Sequence, residues 1–499
     1  MVDTVFRNET LFIGKLFNIH LKLIEVSDLV DDHQWLLSAK MISIMGVLLS
    51  LCVTVIAATV YDVFVHRKSL NKEKGKLTFE SNNMIALNNG IDEKCDTNNE
   101  KPAPPEWVQQ NRISQYLLCF SFITNVEKLF KPEKGGDNLR IFYGLKTLTI
   151  AWIILGHVLI YSFHVLSNKW LTFTQAESLL MQVLTNFTFS VDAFFFMSGF
   201  LLSYTFLKEQ RKYQGIPPIA KRINELFQKI VKRYIRLTPV YFVVILIAIL
   251  NFTWHDHNSA LLPVEHPNAK CSKYWWTNIL YINNFYRWDE LCLTWSWYLP
   301  NDMQFFVFGS FLLTLSITHY NIAMGIGIVT LLSTIGSLVY TGYTFNYQPT
   351  LDEQYNTLTY FYIRPWCRIP PYLIGMGTCH LLTNCNYKLR LSNKSLIVGW
   401  TLAILCNCSI LFGLTNRNIS LGLSVLYLAL SRTGWALGIA WLVVACTTNN
   451  GGIVNKILSL DIFVPLSKLT YCAYLINCII TLSLYSLDNY SLFIYYINF

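Results

Sequence analysis

The sequence predicts an all-α polytopic membrane protein, a bundle of about 10–11 transmembrane helices. Three observations carry that prediction. Hydrophobic residues make up 53% of the 499 residues and charged residues 14%, with a mean hydropathy of +0.36. A soluble globule carries about 25% charged residues, so this chain lacks the charge to coat a soluble surface of its size. Its apolar runs are continuous and reach the ~20 residues that a bilayer crossing needs. An outer-membrane barrel would instead show alternating segments of ~10 residues. Composition thus excludes a disordered chain, a small disulfide scaffold and a soluble enzyme.

Residues 1–40 form a short N-terminal tail with the sequon Asn8-Glu-Thr, a glycosylation candidate. The start lacks a basic stretch followed by a short apolar core, so no cleaved signal peptide is expected. The first span covers 41–65. Residues 66–140 follow as a polar loop rich in Lys, Glu and Asn, with Pro102, Pro104 and Pro105. Within it, 115–130 has helical apolar spacing and is expected on the membrane surface. Residues 141–499 make the main membrane domain. Its spans are expected near 142–164, 184–206, 235–253, 300–318, 322–342, 366–384, 395–413, 420–447 and 462–483. A last apolar piece, 491–499, is too short to cross.

The net charge of +9 could suggest nucleic acid, but the basic residues cluster in loops between spans. No nucleic-acid partner is expected; the lipid bilayer is the partner. Lys208, Arg211, Lys212, Lys221, Arg222, Lys229, Lys232, Arg233 and Arg236 crowd one such segment. By the positive-inside rule, loops 66–140 and 207–234 face the cytosol. The N-terminus and loop 254–299 then face the lumen or the exterior, in the plasma membrane or the endoplasmic reticulum alike. Cys271 and Cys292 are the two cysteines of that loop. In an oxidising compartment they suit a disulfide; two unpaired thiols are the alternative. Oligomeric state is not readable from the chain.

Ionisable residues inside spans are costly and mark candidate sites. Lys146 and His157 are eleven residues apart in GLKTLTIAWIILGHVLIYSFH. Eleven residues make about three whole turns, so both point to one face, ~16 Å apart. Asp192 enters the next span from the outside, at a depth similar to that of His157. Consecutive spans joined by a short loop are usually neighbours, which would let the carboxylate orient the imidazole. Such a His suits general-base removal of a hydroxyl proton while the oxygen attacks a thioester. Lys146, Arg233 and Arg236 gather near the cytosolic end and suit the phosphates of coenzyme A. Each residue also fits a plain role: a packed His, a hydrated Asp, snorkelling cations. No Walker loop, HExxH or paired CxxC occurs. His255-Asp-His is a weak metal candidate, so no metal site is expected. Trp297, Tyr298, Asp302 and Gln304 cluster where loop 254–299 meets the next span, and could line the outer mouth of a cavity. Arg368, at the start of the 366–384 span, is a further candidate substrate contact.

Several ordered blocks carry a family resemblance: FSFITNVEKLF (120–130), GLKTLTIAWIILGH (144–157), VDAFFFMSGFLLSY (191–204), RYIRLTPVYF (233–242), SWYLPNDMQFF (296–306) and PLSKLTYCAYLIN (465–477). The chain resembles the acyltransferase-3 membrane proteins, in the animal "nose resistant to fluoxetine" branch. The resemblance implies an integral membrane O-acyltransferase that passes an acyl group from cytosolic acyl-CoA to a hydroxyl of a lipid or lumenal acceptor. It implies His157 as base, and it places Lys146 where the family has a donor-contacting Arg. Its SGF element maps to Ser198, Gly199 and Phe200, and its basic motif to Arg233, Arg236 and Pro239. The family's Tyr-Leu-x-His ends here in Asn477. The resemblance also implies a large Cys-containing domain before the first span and a further span at the C-terminal end, so this chain is expected to be shorter than the family at both ends. The alternative function it implies is transport of lipids or other lipophilic molecules, or a catalytically impaired member.

Overall fold

The computed structural model describes residues 33–69, 112–131, 139–176, 178–179, 181–213, 215–259, 266–349, 358–415 and 419–487. Asn8, most of loop 66–140 and the apolar piece 491–499 lie outside the described residues. The principal helices are α1 Ala39–Tyr61, α2 Arg112–Phe120, α3 Phe122–Phe130, α4 Ile141–Val165, α5 Thr188–Gln210 and α6 Ile219–Asn258. They continue as α7 Pro267–Ile279, α8 Tyr298–Ser316, α9 Tyr320–Thr344, α10 Pro365–Asn384, α11 Asn393–Phe412, α12 Leu421–Thr447 and α13 Phe463–Leu487. The described residues contain no β-strand.

Every expected span is a helix, and eight are long and apolar enough to cross a membrane: α1, α4, α5, α6, α9, α11, α12 and α13. The protein is therefore an all-α, multi-pass membrane protein. The other two, α8 and α10, are less apolar for a physical reason. Their polar residues face protein: Asn301 and Asp302 on α8 and Arg368 on α10 are buried. Polar side chains inside a bundle are tolerated where partners satisfy them. By contrast, α11 leaves Ile397, Val398, Leu402, Ile404 and Leu405 exposed, a face suited to acyl chains.

α5 and α10 cross at backbone contact. A Cβ on Gly199 would lie 2.1 Å from the Tyr372 carbonyl oxygen, and one on Gly375 would lie 2.1 Å from the Phe196 carbonyl oxygen. Small residues let membrane helices approach this closely. Gly375→Val should force the helices apart and destabilise the fold by about 1–3 kcal/mol or more. A lowered thermal midpoint in detergent, with Gly377→Ala unchanged because its Cβ meets nothing within 4 Å, checks this.

The segment between α6 and α8, expected as an external loop, packs back along α6 in its second half. Asn278 donates to the Tyr241 hydroxyl at 2.6 Å and to the Cys292 carbonyl at 2.7 Å. The hydroxyls of Thr238 and Tyr281 meet at 3.2 Å. Thr238 lies twenty residues before Asn258, the end of α6, hence ~30 Å along the helix from it. Cys271 and Cys292 are joined by a disulfide, 21 residues apart, which ties α7 to the returning chain. Trp295 donates its indole N–H to the Leu475 carbonyl at 3.3 Å, and the Tyr474 hydroxyl donates to the Trp295 carbonyl. Asn284, Asn301 and Gln304 complete a buried amide network around the turn. Buried amides are stable only when so satisfied.

α2 and α3 are held under α1 and α13. Asp62, fully buried, accepts from Ser121 and Thr124 at 2.6 Å each. Arg67 bridges Asp62 at 3.4 Å and Glu127 at 2.6 Å. Its hydrogen bond holds the Glu127 carboxyl below the usual range. Lys468 donates to the carbonyls of Lys128, Leu129 and Lys131 at the end of α3. The free carbonyls at a helix C-terminus attract such a cation.

Candidate active site

His157 sits on α4 and is half-buried. Its Nδ1 lies 2.7 Å from Oδ1 of Asn477 on α13 and 3.1 Å from Sγ of Cys478. Phe187 packs edge-on against the imidazole, with centroids 5.7 Å apart. Gly156 makes room for it, since a Cβ there would lie 2.0 Å from the Phe187 ring. Tyr161, one turn along α4, lies 6.1 Å from the imidazole by ring centroids. Lys146 lies three turns away on the same helix, half-buried.

The expected carboxylate–imidazole pair is not formed. Asp192 gives both oxygens to Nη1 of Arg368, at 2.8 and 3.0 Å. Arg368 also donates Nε to the Tyr362 carbonyl at 2.9 Å. Its guanidinium lies 4.2 Å from the Tyr362 ring centroid and 5.1 Å from that of Trp297. Both members of the pair are at most 1% exposed. A buried guanidinium requires a counter-charge more than a neutral ring does, so the carboxylate goes to Arg368. Asp192 and Arg368 therefore lock α5 to α10, and Trp297 is a wall of that lock.

The expected outer-mouth cluster is also redistributed. Asp302 pairs with Arg233, which lies on the Lys/Arg-rich half of α6, and Arg233 stacks on Phe306 at 4.3 Å. The cause is the fold-back described above: the returning chain passes Thr238 at Tyr281 before α8 begins, which brings Asp302 to Arg233. Gln304 donates to the Tyr281 carbonyl at 3.0 Å and belongs to the amide network. Tyr298, half-buried, packs on Phe195 and Tyr474 at 4.8 and 5.5 Å. Ser198 is half-buried on α5, six residues from Asp192, and Arg236 is exposed. Arg233 thus enters any donor site with its charge already balanced.

Asn477 is the polar side chain that the structure brings to the imidazole in place of Asp192. It stood out only as a missing titratable group. The signal lay in the block Tyr474-Leu475-Ile476-Asn477, whose last residue the resemblance aligns with a histidine. The His255-Asp256-His257 triplet does not converge. His255 bonds Ser259 at 2.7 Å, Asp256 accepts from Asn268, and His257 stacks on Trp35 at 5.2 Å. Among the described residues no group of three or more His, Cys, Asp or Glu is placed to hold a metal ion.

Residues 142–498 match the acyltransferase-3 family model, described as an acyltransferase domain. The chain is 30% identical over 473 residues to "Nose resistant to fluoxetine protein 6" of Caenorhabditis elegans, covering 89% of this chain and 53% of that protein. The chain spans about half the length of the curated relative it matches. No solved structure matches.

Proposed function

The chain belongs to the acyltransferase-3 family, and from that premise we propose that it is a membrane O-acyltransferase with His157 as general base. The observation that carries this reading is the half-buried imidazole held by Asn477, on the helix face that also bears Lys146.

Acyl-CoA is the donor and enters from the Lys/Arg-rich side, which is cytosolic. Lys146 and Arg236 meet its phosphates, with Arg233 beside them in its pair with Asp302. A hydroxyl of a lipid or lumenal acceptor approaches His157 from the other half of the bundle. The imidazole takes the hydroxyl proton as the oxygen attacks the thioester carbonyl. The C–S bond then breaks, and the thiolate of coenzyme A takes up a proton as it leaves. Ser198 borders this path. Asn477 replaces Asp192 as the group that orients the imidazole. The N-terminus, the Asn8 sequon and the Cys271–Cys292 disulfide lie on the lumenal or external side.

Sealed proteoliposomes of known orientation test the reading. Labelled acyl-CoA supplied to the Lys/Arg-rich face should yield labelled lipid or acceptor, and supplied to the opposite face should yield none. Movement of a lipophilic solute without acyl-CoA, and no acylated product from either face, would replace the enzyme with a carrier. Lys146→Arg restores the family's fork of donors and should lower the KM for acyl-CoA by about threefold to tenfold, with kcat little changed. Steady-state kinetics with acyl-CoA varied checks it.

A further inference from the structure

The contacts around Asn477 determine which nitrogen of His157 carries the proton. The Asn477 side-chain NH2 donates to the helical carbonyls of Ala473 at 3.1 Å and Tyr474 at 2.5 Å. Those two acceptors fix the amide's orientation: turning it over would set its oxygen against two carbonyl oxygens. Oδ1 therefore faces the imidazole, 2.7 Å from Nδ1. An unprotonated Nδ1 at that distance would oppose lone pair to lone pair. Nδ1 must donate.

The Cys478 thiol fits the same scheme. Its Sγ lies 3.2 Å from the same Oδ1. A carbonyl oxygen has two lone pairs, so it can accept from both Nδ1–H and S–H.

We propose that Asn477 is a positioning residue that holds neutral His157 as the Nδ1–H tautomer and leaves Nε2 as the lone-pair nitrogen that acts as base. The tautomer stands independently; its catalytic consequence rests on the acyltransferase reading above. In solution the Nε2–H form of a neutral imidazole is the more common one, so this assignment is discriminating. The hydrogen bond made by one ring nitrogen sets the state of the other. An amide does this without adding a charge. A carboxylate in the same place would stabilise the protonated ring and bring the base's loss of function to higher pH. Around the imidazole, the described contacts supply Tyr161 from α4 and Cys478 from α13 as titratable neighbours, while Phe187 is apolar. Asp192 is occupied by Arg368.

The direct test is nitrogen NMR of the full chain, with 15N-labelled histidine, in lipid bilayers. Subtracting the His157→Gln spectrum isolates this ring. Protonation at Nδ1 is expected; protonation at Nε2 in the neutral ring overturns the proposal whether or not the protein transfers acyl groups. Kinetics add a second readout. Asn477→Asp keeps the acceptor, so it should stay active while the acidic limb of kcat/KM moves up by about 1–2 pH units. Asn477→Leu should lower kcat by at least about tenfold with the donor KM unchanged. An unmoved limb in the Asp variant, or wild-type kcat in a folded Leu variant, overturns the role. Absence of transfer in every form, with Nδ1–H observed, would sink the acyltransferase reading and leave the tautomer standing.

Discussion

His157→Ala should reduce acyl transfer by about 10²–10⁴-fold, the range that a positioned general base contributes. The loss should fall on kcat, because the base acts on the acceptor hydroxyl in the transition state and holds no part of the donor. The fold should survive. His157 is half-buried, its polar contacts run from Nδ1 to Asn477 and Cys478, and Asn477 keeps its two bonds to Ala473 and Tyr474 when the ring is removed. Equal thermal midpoints for wild type and variant, with turnover lost in the variant alone, would separate catalysis from stability. His157→Gln serves as the control for packing against Phe187.

The second large effect is on folding rather than on rate. Asp192→Ala leaves the Arg368 guanidinium buried without its counter-charge, and so does Asp192→Asn in charge alone. Removing one member of a buried pair costs about 3–5 kcal/mol, a large part of a typical protein's net stability. The double variant Asp192→Leu with Arg368→Met removes both charges and should recover most of the loss, since apolar pairs of similar size often replace buried ion pairs at little cost. Thermal unfolding of wild type, Asp192→Leu, Arg368→Met and the double variant in one detergent measures the coupling. If Asp192 acted on His157 instead, Asp192→Asn would leave the midpoint alone and move the pH profile.

These two residues show where the sequence was legible. The spans could be read because hydropathy is a property of single segments. α8 and α10 could be read too, although their buried polar residues make them the least membrane-like of the ten. Helical rise sets an expected height for His157 and Asp192 along their helices. Depth, however, specifies height and not azimuth. Arg368 reaches Asp192 from 176 positions away in sequence, and no local pattern announces it. The polar aromatic stretch 281–297 reads as a loop, and only its long-range bonds to α6 and α13 reveal the fold-back that brings Asp302 to Arg233. Asn477 was visible as a departure from a family pattern. That an uncharged amide could hold the imidazole required the two helical carbonyls that fix its orientation.

The proposed reaction moves an acyl group from a thioester to a hydroxyl through His157. It is tested most directly by wild type and His157→Ala, purified side by side into lipid nanodiscs with labelled acetyl- or palmitoyl-CoA and a panel of hydroxyl-bearing lipids and sterols. Release of the coenzyme A thiol and appearance of labelled ester are followed together. Matched thiol and ester are expected in the wild type, and neither above background in the variant. Ester formation at the wild-type rate in a folded His157→Ala protein would contradict it.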